Sequence, residues 1–275
     1  MAAGDPATLE RLARAARVLR LPGSLDLAPE VDAGLPGLRC PRSGRAVALR
    51  AGVLDLLGDD FAATVAQRSL DSPLSAAIYD RVRDAFAPLI GMPRFPDEVA
   101  EVTRRLALGQ GDVVLDLACG HGNFTVELAR RVGASGLVIG VDIARAMLAR
   151  AAARVERARL ANVLLVRGDA LALPIADASL AKLNCSGGLH QLPDLARALA
   201  ELARVAAPGA RVVLSSFATG SDRPARWRRL LRDRFGLHVV ALPELARDLA
   251  ALGFADVGWH ASGPVFGRAW ARRPD

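Results

Sequence analysis

The stretch between residues 113 and 130 holds the residues best suited to bind a ligand. Val113–Leu117 is a short apolar run with β-branched residues, which is typical of a buried parallel strand. Gly120 and Gly122 follow it, and residues 125–130 have helical spacing. Glycines let the backbone approach a ligand closely, and the N-terminus of a helix presents free N–H groups. The pattern predicts the first strand, turn and helix of a nucleotide-binding α/β fold.

Asp116 narrows the choice of nucleotide. A carboxylate at the end of this strand repels a phosphate but suits a cationic or hydroxyl-bearing ligand. Thr125 stands where the dinucleotide motif has its third glycine, and the only lysine of the chain is Lys182, so a phosphate-loop lysine is missing. The stretch therefore favours S-adenosylmethionine, which has a positive amino group and sulfonium, over NAD.

Further strand patterns follow along the chain. The second, Leu137–Asp142, ends in an acid 20 residues after Gly122, where a ribose-binding carboxylate is expected. Others are predicted at 163–170, where the run ends in Gly-Asp-Ala, and at 179–185 and 211–217. Two more are predicted near 255–261 and 264–271, after a helix over 243–254 that ends at a glycine.

Four stretches in this order carry a family resemblance: VLDLACGHGNFT (114–125), VIGVDIARAML (138–148), VRGDALALPIADASL (166–180) and GGLHQLPDLARALAELARVAAPGARVVLSSF (187–217). With them the chain resembles the class I S-adenosylmethionine-dependent methyltransferases, close to the ubiquinone/menaquinone-biosynthesis type, over about residues 106–275. The resemblance implies an α/β, Rossmann-like, seven-stranded and mostly parallel sheet with helices on both faces. It also implies an enzyme that moves a methyl group from S-adenosyl-L-methionine to a small-molecule acceptor by direct displacement.

The resemblance assigns roles to individual residues. Asp142 would bind the ribose hydroxyls, Asp169 and Ala170 the adenine, and Gly120 with the backbone around Ala118 the methionine end. Ala118 departs from the family pattern, which usually has a glycine there. The expected cofactor-binding set is Asp116, Ala118, Gly120, Gly122, Asp142, Ile143, Met147, Asp169, Ala170 and Asn184.

His190 is the candidate catalytic residue. It follows the fourth predicted strand, at the edge of an open α/β sheet where ligands bind, and could accept a proton from a substrate hydroxyl. The alternative is that its ring makes hydrogen bonds that order the loop. Both interpretations stay open on the sequence alone.

The first 60 residues differ in character from the rest. A helix is predicted over 6–20, with Arg11 and three further arginines on a solvated face. The following Cys40-Pro41-Arg42-Ser43 and two strand-like runs resemble the zinc ribbon of rRNA guanine methyltransferases, with Ser43 in place of a cysteine. Zinc needs four N or S ligands, so we expect no metal here and a ribbon held together by packing alone.

Residues 61–105 are predicted to form a helical lid that contains Tyr79. The expected division is therefore an N-terminal helix and degenerate ribbon over 1–60, this lid, and a cofactor-binding core over 106–275.

Composition limits the remaining choices. The chain has 275 residues, a net charge of +7 and 36 lysines and arginines, nearly all arginine. Because this bias runs along the whole chain, a GC-rich coding sequence explains it better than a nucleic-acid surface, although the basic stretch 223–234 could also bind an anionic substrate or RNA phosphate. No apolar run has the length of a membrane span or forms a signal core, which predicts a cytoplasmic protein, monomeric or homodimeric.

Three functions remain open. The first is a small-molecule methyltransferase, favoured by the missing zinc ligands. The second is an rRNA base methyltransferase, favoured by the ribbon-like segment and the arginines. The third is a protein that binds the cofactor without methylating anything.

Overall fold

The computed structural model describes residues 5–21, 29–32, 36–58, 92–220, 229–230 and 239–275. These residues form one mixed β-sheet with helices packed on both of its faces. Tyr79, most of the predicted lid and most of the basic stretch 223–234 lie outside the described residues.

The described helices and strands alternate over most of the chain, as in other α/β proteins. The helices are α1 (Pro6–Ala16), α2 (Phe95–Leu106), α3 (Asn123–Val132), α4 (Arg145–Arg157), α5 (Leu195–Val205) and α6 (Leu242–Ala251). The strands are β1 (Glu30–Asp32), β2 (Gly37–Arg39), β3 (Ala46–Arg50), β4 (Val53–Asp55), β5 (Val113–Leu117), β6 (Leu137–Asp142), β7 (Val163–Arg167), β8 (Leu180–Ser186), β9 (Ala206–Thr219), β10 (Val240–Ala241), β11 (Ala255–Ala261) and β12 (Phe266–Arg272).

The strands lie in the order β1-β2-β3-β4-β7-β6-β5-β8-β9-β12-β11, with the short β10 beside β9. The run from β4 to β9 is parallel, and antiparallel strands flank it at both ends. The expected sheet of seven mostly parallel strands is therefore wrong in size and proportion: the described sheet has 12 strands and is mixed. The reason is that strands from the first 58 residues extend it.

The N-terminal strands join the sheet through main-chain hydrogen bonds. Strand β4 pairs in parallel with β7, so that Leu54 lies beside Val166. The neighbouring Arg167 reinforces the junction, since its Nη1 lies 3.2 Å from each carboxylate oxygen of Asp55 and donates to the carbonyl of Gly58 at 2.6 Å. The expectation that this segment is held by packing alone is wrong.

Two apolar layers cover the sheet. One face packs against α1, α5 and α6, represented by Leu12 and Leu199, and the other packs against α2, α3 and α4, represented by Leu128 and Leu148. The alternation of side chains along a strand sends Leu115 into the first layer and its neighbours into the second. This two-sided burial explains the nearly continuous apolar runs of the parallel strands.

The N-terminal helix differs from its prediction in two ways. It ends at Ala16 and not near residue 20. Arg11 is only 7% exposed, so the expected solvated face is wrong for this residue. The cause is that α1 lies across the end of β7, where the Nη1 of Arg11 donates to the carbonyl of Val163 at 2.9 Å.

Two searches of the described residues gave negative results. Their helices do not combine the length and apolar character that a bilayer crossing requires. In the same part of the chain, no three His, Cys, Asp or Glu side chains come together in a group that could hold a metal ion.

Candidate functional site

An elongated cleft lies at the carboxyl ends of β5 to β8. It sits where the strand order changes direction between β5 and β8, which is the usual ligand position of an open α/β sheet. Its two halves share Ala118, Asp142, Gly188 and Gln191. We call the half around Asp116 and Gly120 the glycine-loop half, and the half around Asp169 and Leu192 the Asp169 half.

The two halves bring together most of the residues expected from the sequence. The glycine-loop half is lined by Asp116, Ala118, Gly120, Asp142 and Met147. The Asp169 half is lined by Ala118, Asp142, Ile143, Asp169 and Ala170.

Asp116 is the buried acid of the cleft, with 1% of its surface exposed. Thr125 donates from its hydroxyl to Oδ2 at 2.6 Å, and Asn184 donates from its amide to Oδ1 at 2.8 Å. Burial raises the pKa of Asp116 to about 6, and the nearby charge of Asp142 adds to that rise, while the bonds from Thr125 and Asn184 oppose it. A cationic ligand group placed here would favour the ionised carboxylate.

Asp142 joins the two loops that frame the cleft. Its Oδ2 accepts the backbone N–H of Gly120 at 2.7 Å, and its Oδ1 accepts that of Ala144 at 2.9 Å. The carboxylate thus connects the turn after β5 with the start of α4. Because it lines both halves, it lies where the middle of an elongated ligand would be.

The turn after β5 relies on left-handed backbone conformations. Ala118, Gly120 and Gly122 have φ angles of 53°, 56° and 82°. Nothing lies within 4 Å of the place where a side chain on Gly120 would begin, so this backbone faces open space in the cleft. Gly122 packs closely on Ala151 of α4 instead, where an added Cβ would lie 3.0 Å from the Cβ of Ala151.

Three expected site residues do not line the cleft. Gly122 contacts α4, as described, and Asn184 is fully buried behind Asp116. His190 is 4% exposed, with its Nδ1 3.3 Å from the hydroxyl of Ser216 and its Nε2 3.2 Å from the side-chain nitrogen of Gln191. Gln191, which lines both halves, separates the ring from the cleft.

The structure adds residues that the sequence did not single out for the site. Thr125 had counted only as a missing glycine, yet it bonds to Asp116 from the first turn of α3. Glu98, on α2, lines the glycine-loop half and is 2% exposed. Met92, Ser186, Gln191 and Phe266 line the same half. These positions come from distant parts of the chain, and no local pattern marks them.

Comparisons with known proteins agree with this architecture. Residues 114–209 match the family model described as a methyltransferase domain. The chain is 38% identical over 177 residues to a 2-phytyl-1,4-naphtoquinone methyltransferase from Synechococcus elongatus, covering 63% of this chain and 73% of that protein. It is 33% identical over 130 residues to a demethylmenaquinone methyltransferase from Shouchella clausii, covering 47% of this chain and 55% of the relative.

Solved structures agree on the fold. A SAM-dependent methyltransferase from Aquifex aeolicus superposes with a TM-score of 0.57 at 22% identity, covering 73% of this chain and 98% of the other. The chain spans only 55–60% of the length of several quinone methyltransferases that it matches.

The cleft fits the family's cofactor, S-adenosylmethionine. A buried acid in the glycine-loop half suits the positive methionine end, and the open backbone at Gly120 gives that end room. The apolar Asp169 half, with Ile143, Leu171 and Leu192, suits a flat base. Together, the fold, the cleft and the sequence relatives show that the chain belongs to the class I S-adenosylmethionine-dependent methyltransferases.

Proposed function

We propose that the protein methylates a small-molecule acceptor at the expense of S-adenosylmethionine. The observation that carries the proposal is the position of Asp116, a buried acid in the half of the cleft that also opens towards Phe266 and Met92. The methionine end of the cofactor and an acceptor can therefore meet there. The names of the relatives, which are quinone methyltransferases, support the same activity.

Within this proposal the cofactor-binding roles follow the line of the cleft. The carboxylate of Asp116 binds the amino group of the methionine end. Asp142 binds the ribose hydroxyls, and Asp169 with Ala170 and Ile143 binds the adenine. Asn184 and Gly122 act indirectly, Asn184 by holding the carboxylate of Asp116 and Gly122 by setting the start of α3 against α4.

The reaction proposed is a direct displacement. The cofactor supplies a methyl group on a sulfonium, which a nucleophilic oxygen, nitrogen or carbon of the acceptor can take in one step. The chain then has to align the acceptor and exclude water, with no covalent intermediate on the protein. Helix α2 supports such a closed site, since Glu98 reaches the cleft and the ring of Phe95 packs edge-on against Phe124 at 5.2 Å.

A quinone-type ring is the acceptor class that we propose. Phe266 and Met92 give the acceptor side of the glycine-loop half an apolar surface, and Ser186 and Gln191 offer a few polar groups. That combination suits a flat, largely apolar molecule with one or two oxygens. His190 would position Gln191 from beneath, or serve as general base if the loop moves on binding.

The domain division of 1–60, 61–105 and 106–275 also stays a proposal, as does the relation of the first segment to a zinc ribbon. The turn at Cys40 supports the latter, because the N–H of Ser43 donates to the Sγ of Cys40 at 3.4 Å and the N–H of Gly44 to the carbonyl of Cys40 at 2.9 Å. Hydrogen bonds from Ser43 lower the pKa of the Cys40 thiol.

The decisive experiment supplies methyl-labelled cofactor with either a short-chain demethylmenaquinone or rRNA. We expect label in the quinone, identified by mass spectrometry, and none in the rRNA. Label in rRNA with a steep salt dependence would replace the proposal with the rRNA function. Calorimetric binding of the cofactor with no labelled product from the quinone, rRNA or a metabolite extract would point to a protein that binds the cofactor without methylating.

A further inference from the structure

A second cavity lies away from the cofactor cleft, near the start of β7. It is bounded by α1, by the turn between β3 and β4, and by the outer face of α4, and we call it the α1–α4 groove. Much of its lining is apolar, including Leu49, Ala153, Val155, Leu160 and Leu165. The charged residues that line it are Arg11, Glu156 and Arg159, so its lining carries a net positive charge.

Arg11 is the buried cation of this groove. Only 7% of its surface is exposed, and its Nη1 is occupied by the carbonyl of Val163 at 2.9 Å. Its Nε is shielded from water and has no hydrogen-bond partner, and among the described residues none accepts from Nη2. Nε and Nη2 form the edge of a guanidinium that can bind a carboxylate through two parallel hydrogen bonds.

No acid of the chain fills that edge in the described structure. Asp5 is the carboxylate with a favourable charge interaction with Arg11, but its Oδ2 accepts from the backbone N–H and hydroxyl of Thr8 at the start of α1. Burial lowers the pKa of Arg11 and outweighs the influence of Asp5, which shows that this cation is poorly solvated. A buried donor edge without an acceptor is unfavourable, and an anionic ligand would relieve it.

We propose that the α1–α4 groove binds an amphipathic carboxylate, with its carboxylate on the Nε–Nη2 edge of Arg11 and its apolar chain along α4. The small side chains of Ala149, Ala152 and Ala153 leave room for such a chain beside the sheet. The site is separate from the acceptor side of the cofactor cleft, because α4 turns one end to that cleft at Met147 and its later residues to the groove. The ligand is therefore neither the cofactor nor the methyl acceptor.

The test titrates straight-chain carboxylates, from hexanoate to dodecanoate, into the full chain by calorimetry. Saturating S-adenosylhomocysteine is present to occupy the cofactor cleft. We expect one site, with affinity that rises with chain length, and much weaker binding of decanol than of decanoate. Arg11→Met should weaken decanoate binding at least tenfold, and Arg11→Lys should also weaken it, because an ammonium cannot make the two parallel bonds.

Two further variants separate the site from general effects on folding. Ala153→Phe blocks the groove from an exposed position on α4 and leaves Arg11 intact, so it should weaken decanoate binding while thermal unfolding stays unchanged. Arg17→Met removes an exposed arginine at the end of the same helix and should bind like the unaltered protein. Equal decanoate affinity in Arg11→Met and the unaltered protein, equal binding of decanol, or no binding at any chain length would overturn the proposal.

Discussion

Ala118 and Gly188 fit together only because one of them lacks a side chain. A Cβ on Gly188 would lie less than 3.0 Å from the Cβ of Ala118, a separation that real Cβ atoms essentially never show. Ala118 itself has a φ of 53°, the left-handed region that favours glycine. The pair explains how the chain tolerates alanine where its family usually has glycine: the space is supplied by the glycine 70 residues later.

This pairing predicts a rescue between two substitutions. Gly188→Ala should destabilise the protein by about 1–3 kcal/mol through overpacking, since Gly188 has an ordinary φ of −106° and adds no backbone strain. Ala118→Gly alone should be neutral or stabilising by up to about 1 kcal/mol, because it relieves the left-handed alanine. Denaturant unfolding of both variants and the double variant should show that Ala118→Gly recovers most of the loss. Additive effects in the double variant would argue against the contact.

A second prediction concerns pH and folding stability. The pKa of Asp116 is raised to about 6 in the folded protein, so the stabilisation that its protonated form gives is complete below the unfolded value near 4 and is lost as the pH rises through 6. The loss amounts to about 3 kcal/mol. Chemical unfolding without ligand between pH 4 and 8 should show this decline, and Asp116→Asn should remove most of it. An unchanged pH profile in that variant would contradict the assignment.

Cofactor affinity should depend on pH in the opposite direction. A cationic amino group needs the ionised form of Asp116, so S-adenosylhomocysteine should bind about tenfold more weakly for each unit below pH 6 and uniformly above pH 7. Calorimetry in buffers of different ionisation enthalpy should also detect one proton released on binding below that midpoint. Affinity that is flat from pH 5 to 8 would show that the amino group binds elsewhere.

Asn184 should set the midpoint of that affinity curve. Its amide donates to the carboxylate of Asp116 and is fully buried, so Asn184→Ala removes a bond that favours the charged form. We expect the midpoint to move up by about one pH unit or more. Asn162→Ala is the matched control, because this buried amide bonds only to the carbonyls of Ala129 and Gly133. Asn162→Ala should lower stability and leave the midpoint in place, and a shift as large as that of Asn184→Ala would count against a local effect.

Asp142→Ala should weaken binding of S-adenosylhomocysteine by about 10- to 100-fold, the cost of losing hydrogen bonds to a charged group. Part of that loss would come from the loop, because Asp142 also holds the N–H of Gly120. A 2′-deoxyribose analogue separates the two effects: it should bind the unaltered protein less tightly than S-adenosylhomocysteine does, but bind Asp142→Asn equally well. Asp177→Asn, an exposed acid paired with Arg204, is the control. Unchanged calorimetric affinity in Asp142→Ala would remove the ribose assignment.

Local patterns predicted the parts of the cleft that lie within single strand–turn–helix units. The strand end at Asp116, the turn through Gly120 and Gly122 and the second acid at Asp142 are neighbours in sequence, and the parallel strands bring them to one edge of the sheet. His190 shows the limit of this approach. Its loop could be placed at that edge, but its burial depends on Ser216 and on Gln191 between the ring and the cleft.

The sequence by itself determined the order of strands and helices, the family and the two acids of the cleft, because each depends on periodicity or spacing over a few residues. The tertiary structure decided what depends on distant partners. It brought Asn184 to Asp116 across 68 residues, added the N-terminal strands to the sheet through β4 and β7, and buried Arg11 against Val163. Pairings of this kind follow from strand order and close packing of the whole chain, which no short stretch of residues encodes.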